Sequence, residues 1–249
     1  MSSTTRNLWD SPLALFEAMQ RIAELEAQNQ ELRAANRNYM EMLGFVSHEL
    51  KNALATAVLS LYTVKDGYLG EITPAQKKSL ESVARSLEDL EDMIHNYLDL
   101  SRLEQGDVEI TKTYFPLRSR VVQPMLKEME GEIQRRQMVI ENGIPEGKVV
   151  YADASLLNIV YRNLLSNAIK YGRERGTIRL EVRDDGQAAI LSVCNDSSGI
   201  ASDQIPLLFK KFSRLYNPEY ANQRGTGLGL YICREIVEKH NGSIWADSQ

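Results

Sequence analysis

Asn163-Leu164-Leu165-Ser166-Asn167-Ala168-Ile169-Lys170-Tyr171 is the stretch on which the fold turns. Helical spacing puts Asn163, Asn167 and Lys170 on one stripe and Leu164, Leu165, Ala168 and Ile169 largely on the other side. Asn is a poor helix former, so two of them at this spacing in an apolar helix argue against a merely solvated face. Two carboxamides and an ammonium on one stripe suit a hydrated magnesium ion and a polyphosphate. Magnesium takes oxygen ligands, keeps several waters and shares phosphate oxygens.

A second signal lies downstream. Gly225-Thr226-Gly227-Leu228-Gly229-Leu230 opens an amphipathic helix running from Tyr231 to His240. Alternating glycines at a helix start leave backbone N–H groups bare and let an anion come close, and the helix dipole adds to the attraction. No Gly-Lys-Ser/Thr follows, so this is not a P-loop. No strand immediately precedes it, so it is not a dinucleotide fingerprint.

Around these two helices the texture is mixed. Strand-like runs at Val108–Thr113, Met138–Glu141, Lys148–Tyr151, Thr177–Arg183 and Ala188–Val193 alternate with helical stretches at about 117–136, 154–171 and 226–240. That mixture predicts an α+β sandwich, one sheet with helices on one face. Before Gln105-Gly106 the chain is helical instead. Ser11-Pro12 is a start signal. Leu15, Ile22, Asn29, Asn36, Leu43 and Leu50 form one heptad series, and Ala18, Leu25, Leu32, Tyr39, Val46 and Ala53 another, offset by three as a and d positions are. Asn29 and Asn36 at the seam restrict register and favour a parallel dimer, and the dimer is preferred here to a long helix packed within one chain.

The first helix is expected to end near Lys65, where Asp66-Gly67 and Gly70 punctuate the chain. Thr73-Pro74 opens a second helix whose Leu80, Val83, Leu87, Leu90, Ile94 and Tyr97 continue a three-four spacing to about Leu103. A short loop makes the pair an antiparallel hairpin, and two hairpins make a four-helix bundle. The expected division is a flexible N-terminus over 1–12, a coiled-coil stub and dimerisation hairpin over 13–105, and an α+β domain over 106–249, which the resemblance described below makes the catalytic ATP-binding domain.

Composition narrows the class. The 249 residues carry 29 Lys+Arg against 34 Asp+Glu, a formal charge of −5, with 43% hydrophobic and 25% charged residues. Collagen-like, disulfide-rich, disordered and transmembrane classes are excluded. No signal peptide is evident, and mild acidity argues against nucleic-acid binding. Cys194 and Cys233 read as reduced packing residues of a cytoplasmic protein.

The third signal is Phe45-Val46-Ser47-His48-Glu49-Leu50-Lys51-Asn52-Ala53. The heptad frame puts His48 at position f, facing solvent, with Asn52 one turn on and Glu49 adjacent. A carboxylate beside an imidazole polarises it, a carboxamide positions water, and a neutral imidazole nitrogen is a nucleophile. The three signals in this order resemble the sensor histidine kinases of two-component systems. Those proteins join a dimerising phosphoacceptor hairpin to an ATP-binding domain of the gyrase/Hsp90/histidine-kinase/MutL type. The likeness covers roughly residues 35–247.

The resemblance implies an ATP- and Mg2+-dependent kinase that phosphorylates its own His48 and passes the group to an Asp of a response-regulator receiver domain. Glu49 would be the general base and Asn52 the residue orienting water in the reverse, phosphatase reaction. Asn167 would coordinate magnesium beside Asn163, Lys170 would touch phosphate, and Tyr171 would lie against the nucleotide. Gly225, Thr226, Gly227, Leu228 and Gly229 would shape the phosphate end of the lid. Phe209 and Phe212 resemble the family's phenylalanine box, with Arg214 just after it. A non-catalytic regulator-docking dimer and a chaperone or repair ATPase of the same superfamily are the rival readings.

Departures from the pattern carry their own expectations. The family's Asp-x-Gly-x-Gly, whose Asp accepts from the adenine amino group, becomes Asn195-Asp196-Ser197-Ser198-Gly199-Ile200. Asn195 keeps a carbonyl acceptor but loses charge assistance, about 1 kcal/mol. Ser197 replaces a glycine, and Asp196 fits only in a register one residue out. Ala53 stands where the family often has a helix-kinking Pro. The chain stops at Trp245-Ala246-Asp247-Ser248-Gln249, so the sheet is expected to lack a last strand, and the stimulus to come from upstream or through the stub. His95 reads as a surface residue, His240 as a helix-end cation and Trp245 as packing.

Overall fold

The structure is a computed structural model and describes residues 12–104, 110–186, 188–215 and 225–248. These fall into two compact units that divide between Ala53 and Leu54. The first unit is the leading part of helix α1 (Pro12–Lys65). Its seam residues Leu15, Ile22, Leu25, Leu32 and Tyr39 are all exposed on the single chain. The Ser11 start signal and the Gln105-Gly106 boundary lie outside the described residues.

The second unit holds the end of α1, helix α2 (Pro74–Glu104) and an α+β layer structure. Gly67 and Gly70 turn the chain after α1 at φ of 81° and 118°. Thr73 then caps α2 reciprocally. Its Oγ1 accepts from the Gln76 N–H at 3.2 Å while the Gln76 Oε1 accepts from the Thr73 N–H at 2.8 Å. Among the described residues no helix is long and apolar enough to cross a membrane.

The remaining elements are β1 (Thr113–Pro116), α3 (Gln123–Glu128), α4 (Glu130–Arg135), β2 (Val139–Asn142), β3 (Val149–Ala152), α5 (Ala154–Tyr171), β4 (Thr177–Asp184), β5 (Ala189–Asn195) and α6 (Gly229–Lys239). Strand β4 lies between parallel β2 and antiparallel β5, and α5 covers one face. Ile178 and Leu180 of β4 are fully buried on that face, against Tyr161, Leu165, Ala168 and Ile169 of α5. A second apolar cluster joins Leu100 and Leu103 of α2 to Leu156 and Val160 of α5, to Leu228 just before α6, and to Ile232 and Ile236 of α6.

Several expectations shift. The single sheet is two: a three-stranded β2-β4-β5 and a two-stranded β1-β3. Alternation identifies strands but not their partners. The strand expected at Val108–Thr113 forms at Thr113–Pro116, where Phe115 supplies the buried side chain. The helix expected over 117–136 is broken. Pro124 has no N–H to donate, and a π-turn over Arg118–Val122 precedes it, closed by the Gln123 N–H on the Arg118 carbonyl. Cys194 is exposed because its register opposite Arg179 puts it on the uncovered face of the sheet. Trp245 is 56% exposed, since residues 242–248 form no strand to give it a sheet to pack on.

Helix α5 is held at both ends. Asp153, buried, accepts at its N-terminus from the N–H groups of Ser155 (2.9 Å), Leu156 (3.2 Å) and Thr111 (3.0 Å). Arg136 donates at its C-terminus to the carbonyls of Ile169, Lys170 (2.8 Å) and Gly172 (2.8 Å). His240 ties α6 to the same frame: its Nε2 accepts from the Asp153 N–H at 3.0 Å, and its Nδ1 faces the Ile236 carbonyl at 2.8 Å. Only the neutral Nδ1–H tautomer makes both bonds, so His240 is a tether here and not the helix-end cation expected.

Burial alone would raise the Asp153 carboxyl, but the hydrogen bonds it accepts from Ser155, Leu156 and Thr111 hold it below the usual carboxylate range. A depressed folded value gives stability that is present at neutral pH and is lost as pH falls through that value. Asp153→Ala is therefore expected to lower the unfolding free energy by about 1–2 kcal/mol at neutral pH in urea denaturation. The gap to wild type should narrow on acidification; a gap that stays constant would remove the carboxylate from the cap.

Candidate functional site: a polar helix face under a glycine loop

The stripe on α5 stays half-buried while its opposite side goes to the core. Asn163 donates from Nδ2 to the Ile159 carbonyl at 3.0 Å, which turns its Oδ1 outward. The start of α6 is laid against it: a methyl on Gly229 would come within 2.5 Å of that Oδ1. Gly225 lies over the far end of the stripe, where a methyl would sit 3.6 Å from the Tyr171 hydroxyl and 4.0 Å from Lys170 Nζ. Between them Gly227 adopts φ 68°, with the Phe212–Ser213 backbone closer than a side chain tolerates. Glycine is required here for conformation and for space.

Leu228 is buried beneath the loop and anchors it, and Thr226 Oγ1 accepts from the Leu228 N–H at 3.2 Å. Among the described residues no side chain caps the first turn of α6, which starts against Asn163 of the stripe, and an uncapped helix start attracts an anion. The Asn167 carboxamide makes no hydrogen bond among the described residues.

The far end of the stripe is charged. Lys170 Nζ lies 3.5 Å from Asp89 Oδ1 of α2, both largely shielded from water. Burial raises the Tyr171 hydroxyl, with Asp89 pushing the same way and the Arg214 guanidinium opposing. Arg214 itself is exposed. Phe212 is 64% exposed at φ 60°, and Phe209 is half-buried.

Strand β5 and the turn after it carry the residues of the departed motif. Asn195 pairs with Ile178, so its side chain shares the helix-covered face. Asp196 is engaged elsewhere: its carboxylate accepts from the Thr177 N–H at 2.9 Å and lies 3.6 Å from Arg179. Gly199, at φ 83°, donates to Ser197 Oγ at 3.2 Å, and the Ile200 N–H donates to Ser248 Oγ at 2.8 Å.

His48, Glu49 and Asn52 belong to the first unit and form a group of their own. Glu49 Oε1 lies 3.6 Å and Asn52 Nδ2 3.2 Å from His48 Nδ1, and the imidazole is exposed. Both neighbours address one ring nitrogen. Nε2 makes no hydrogen bond among the described residues.

Sequence reasoning missed Asp153, Arg136 and Asp89. Asp153 was readable, as an N-cap acid before Ala-Ser-Leu-Leu. The other two act through contacts 34 and 81 positions away in the chain, and no local pattern marks them.

Two known families match the chain. The family described as "His Kinase A (phospho-acceptor) domain" matches residues 39–106, and that described as "Histidine kinase-, DNA gyrase B-, and HSP90-like ATPase" matches 152–249. The circadian input-output histidine kinase CikA of Synechococcus elongatus is 32% identical over 87% of this chain and 29% of its own length. The adaptive-response sensory kinase SasA of the same organism is 30% identical over 95% of this chain and 60% of its own. The chain thus spans less than two thirds of these relatives. The solved histidine kinase AdeS of Acinetobacter baumannii shares 25% identity at a TM-score of 0.54, covering 81% of this chain and 91% of that one.

The glycines sort by cost. Gly227→Ala should destabilise most, by about 1–3 kcal/mol, because it meets fixed backbone at positive φ. Gly229→Ala should cost less, and Asn163→Ala in the same chain should recover most of that loss. Gly225→Ala should be near neutral. Thermal or urea unfolding of the four variants checks the order.

Proposed function

Because this chain belongs to the sensor histidine kinases, joining a phospho-acceptor domain to a histidine kinase-type ATPase domain, we propose that it is an ATP-dependent protein-histidine kinase that phosphorylates its own His48. The observation that carries this reading is the glycine-rich start of α6 laid along the Asn163–Tyr171 face of α5. Bare N–H groups, a helix dipole and Lys170 together suit a triphosphate.

ATP use rests on the ATPase family match, and the magnesium requirement is part of the proposal. Asn167 fits the ion, since its carboxamide oxygen has no other partner among the described residues, and magnesium accepts oxygen donors beside waters and phosphates. Asn163 stands a turn away, its Oδ1 turned outward. Bound there, magnesium would neutralise charge on the phosphates. Asn195 would accept from the adenine amino group, with Gly199 and Ile200 shaping the same edge. Tyr171 and Arg214 would border the nucleotide. Gly225, Thr226, Gly227, Leu228 and Gly229 would enclose the phosphates.

The transfer balances on the His48 group. The Nε2 lone pair forms the bond to the γ-phosphorus, and the bond from that phosphorus to the β,γ-bridging oxygen breaks, with the electron pair leaving on ADP. In the Nδ1–H tautomer, which the Glu49 carboxylate favours and in which the Asn52 Nδ2 makes no hydrogen bond to the ring, the proton on Nδ1 goes to Glu49 beside that nitrogen. The phosphoryl group then passes from the imidazole to an Asp carboxylate of a response-regulator receiver domain. Asn52 orients water for the hydrolysis of that acyl phosphate. The functional form is a homodimer, its bundle built from the α1–α2 hairpin of each copy and extended by the exposed apolar seam of α1.

Incubation with γ-labelled ATP and magnesium tests this. Wild type should acquire an acid-labile label and His48→Gln none; equal labelling, or no label in wild type, overturns the kinase. Asn195→Asp should tighten ATP binding several-fold, as the restored charge returns about 1 kcal/mol. Unchanged affinity would remove Asn195 from the adenine contact.

A further inference from the structure

The ammonium that the reading above assigns to phosphate is already occupied. Asp89 projects from α2 onto Lys170, Oδ1 to Nζ 3.5 Å, at the end of the stripe closed by Gly225. We propose that Asp89 is an internal competitor of the nucleotide: its carboxylate stands in for a phosphate at Lys170, and ATP binds fully only when α2 gives that lysine up. This rests on the nucleotide reading of the α5–α6 face.

Three observations carry it. The first is position. Lys170 is the cation of the α5 stripe, and its Nζ lies against the loop where the glycines leave room for an anion. The second is that Asp89 is held there and does not merely drift past. The C-terminal half of α2 is fastened to α5 and α6 through Leu100, Leu103, Leu156, Val160 and Ile232. Beside Asp89, Glu88 Oε1 lies 3.8 Å from Arg135 Nη1 of α4. The third is that the contact is shielded, so it is screened less by salt than a surface pair.

The docking face is also electrically unbalanced. Glu88, Asp89 and Asp92 from α2 and Glu132 from α4 meet Lys170 and Arg135, with His95 alongside. Both Asp92 and Glu132 sit above the usual carboxylate range, first through partial desolvation by the surrounding protein although both residues stay exposed; Lys170 is the chief opposing charge at Asp92, and Arg135, ahead of Lys170, at Glu132. Lys170 thus serves two anions in turn. When phosphate takes it, the α2 acids lose the cation that compensates them, and docking of α2 weakens. By linkage, whatever draws α2 away must raise nucleotide affinity by the same factor.

The test measures MgATP affinity of the full chain by calorimetry for wild type, Asp89→Asn, Asp89→Glu, Lys170→Met and the Asp89→Asn/Lys170→Met pair. Asp89→Asn should lower the Kd about five-fold, the worth of a partly shielded ion pair. Asp89→Glu, which keeps the charge, should stay near wild type. In the Lys170→Met background the Asp89→Asn effect should vanish. An unchanged or weaker Kd in Asp89→Asn, or tightening that survives without Lys170, overturns the competition. Failure of wild type and every variant to bind MgATP is a different result: it overturns the nucleotide reading itself, and the proposal with it.

Discussion

Everything on the polar face of α5 depends on the two charges that hold that helix. Asp153 meets its N-terminus and Arg136 its C-terminus, each opposite in sign to the end of the helix dipole it faces. Each also saturates backbone groups that a helix leaves unpaired at its ends. A helix fixed at both ends cannot roll. With Leu165, Ala168 and Ile169 fully committed to the sheet, Asn163, Asn167 and Lys170 have only one direction to face. The His240 tether extends this frame to α6, so the two helices of the site share one anchor at Asp153.

The glycine loop follows from that rigidity. Because the α5 face is fixed, the α6 N-terminus comes close enough to present its N–H groups only if no side chain intervenes. Gly229 meets the Asn163 carboxamide, and Gly227 meets the Ser213 backbone. The two contacts differ in kind: one is against a side chain that a substitution could relocate, the other against main chain at a positive φ. Buried Leu228 between them provides the apolar anchor, which is why an otherwise flexible sequence holds its position.

Local signals carried most of the architecture. The Thr73-Pro74 start, the Gly67 and Gly70 turn, the α5 stripe and the glycine loop rest on spacings within one or two turns of helix, and each appears within a few residues of its expected position. What the sequence hid is long-range. The pairing of β1 with β3 joins residues more than thirty positions apart, so alternation revealed two strands without revealing two sheets. Cys194 looked like core because it sits in an apolar strand, and only the register opposite Arg179 exposes it. His240 looked like a helix-end cation because the backbone N–H of Asp153, 87 positions away, is invisible to any local pattern.

Helix α2 shows how one sequence satisfies two demands. Its leucines continue the hairpin spacing, and its last turns also lend Leu100 and Leu103 to the α5–α6 cluster. A purely apolar contact of this kind would be indifferent to nucleotide. The acids at 88, 89 and 92 change that, since Asp89 is shielded against Lys170, Glu88 turns to Arg135, and Asp92 feels Lys170 as its chief opposing charge. Apolar packing sets where α2 sits, and the charges set the condition under which it stays. The condition is the freedom of one ammonium, and a triphosphate on the α5 face is the ligand best suited to withdraw it.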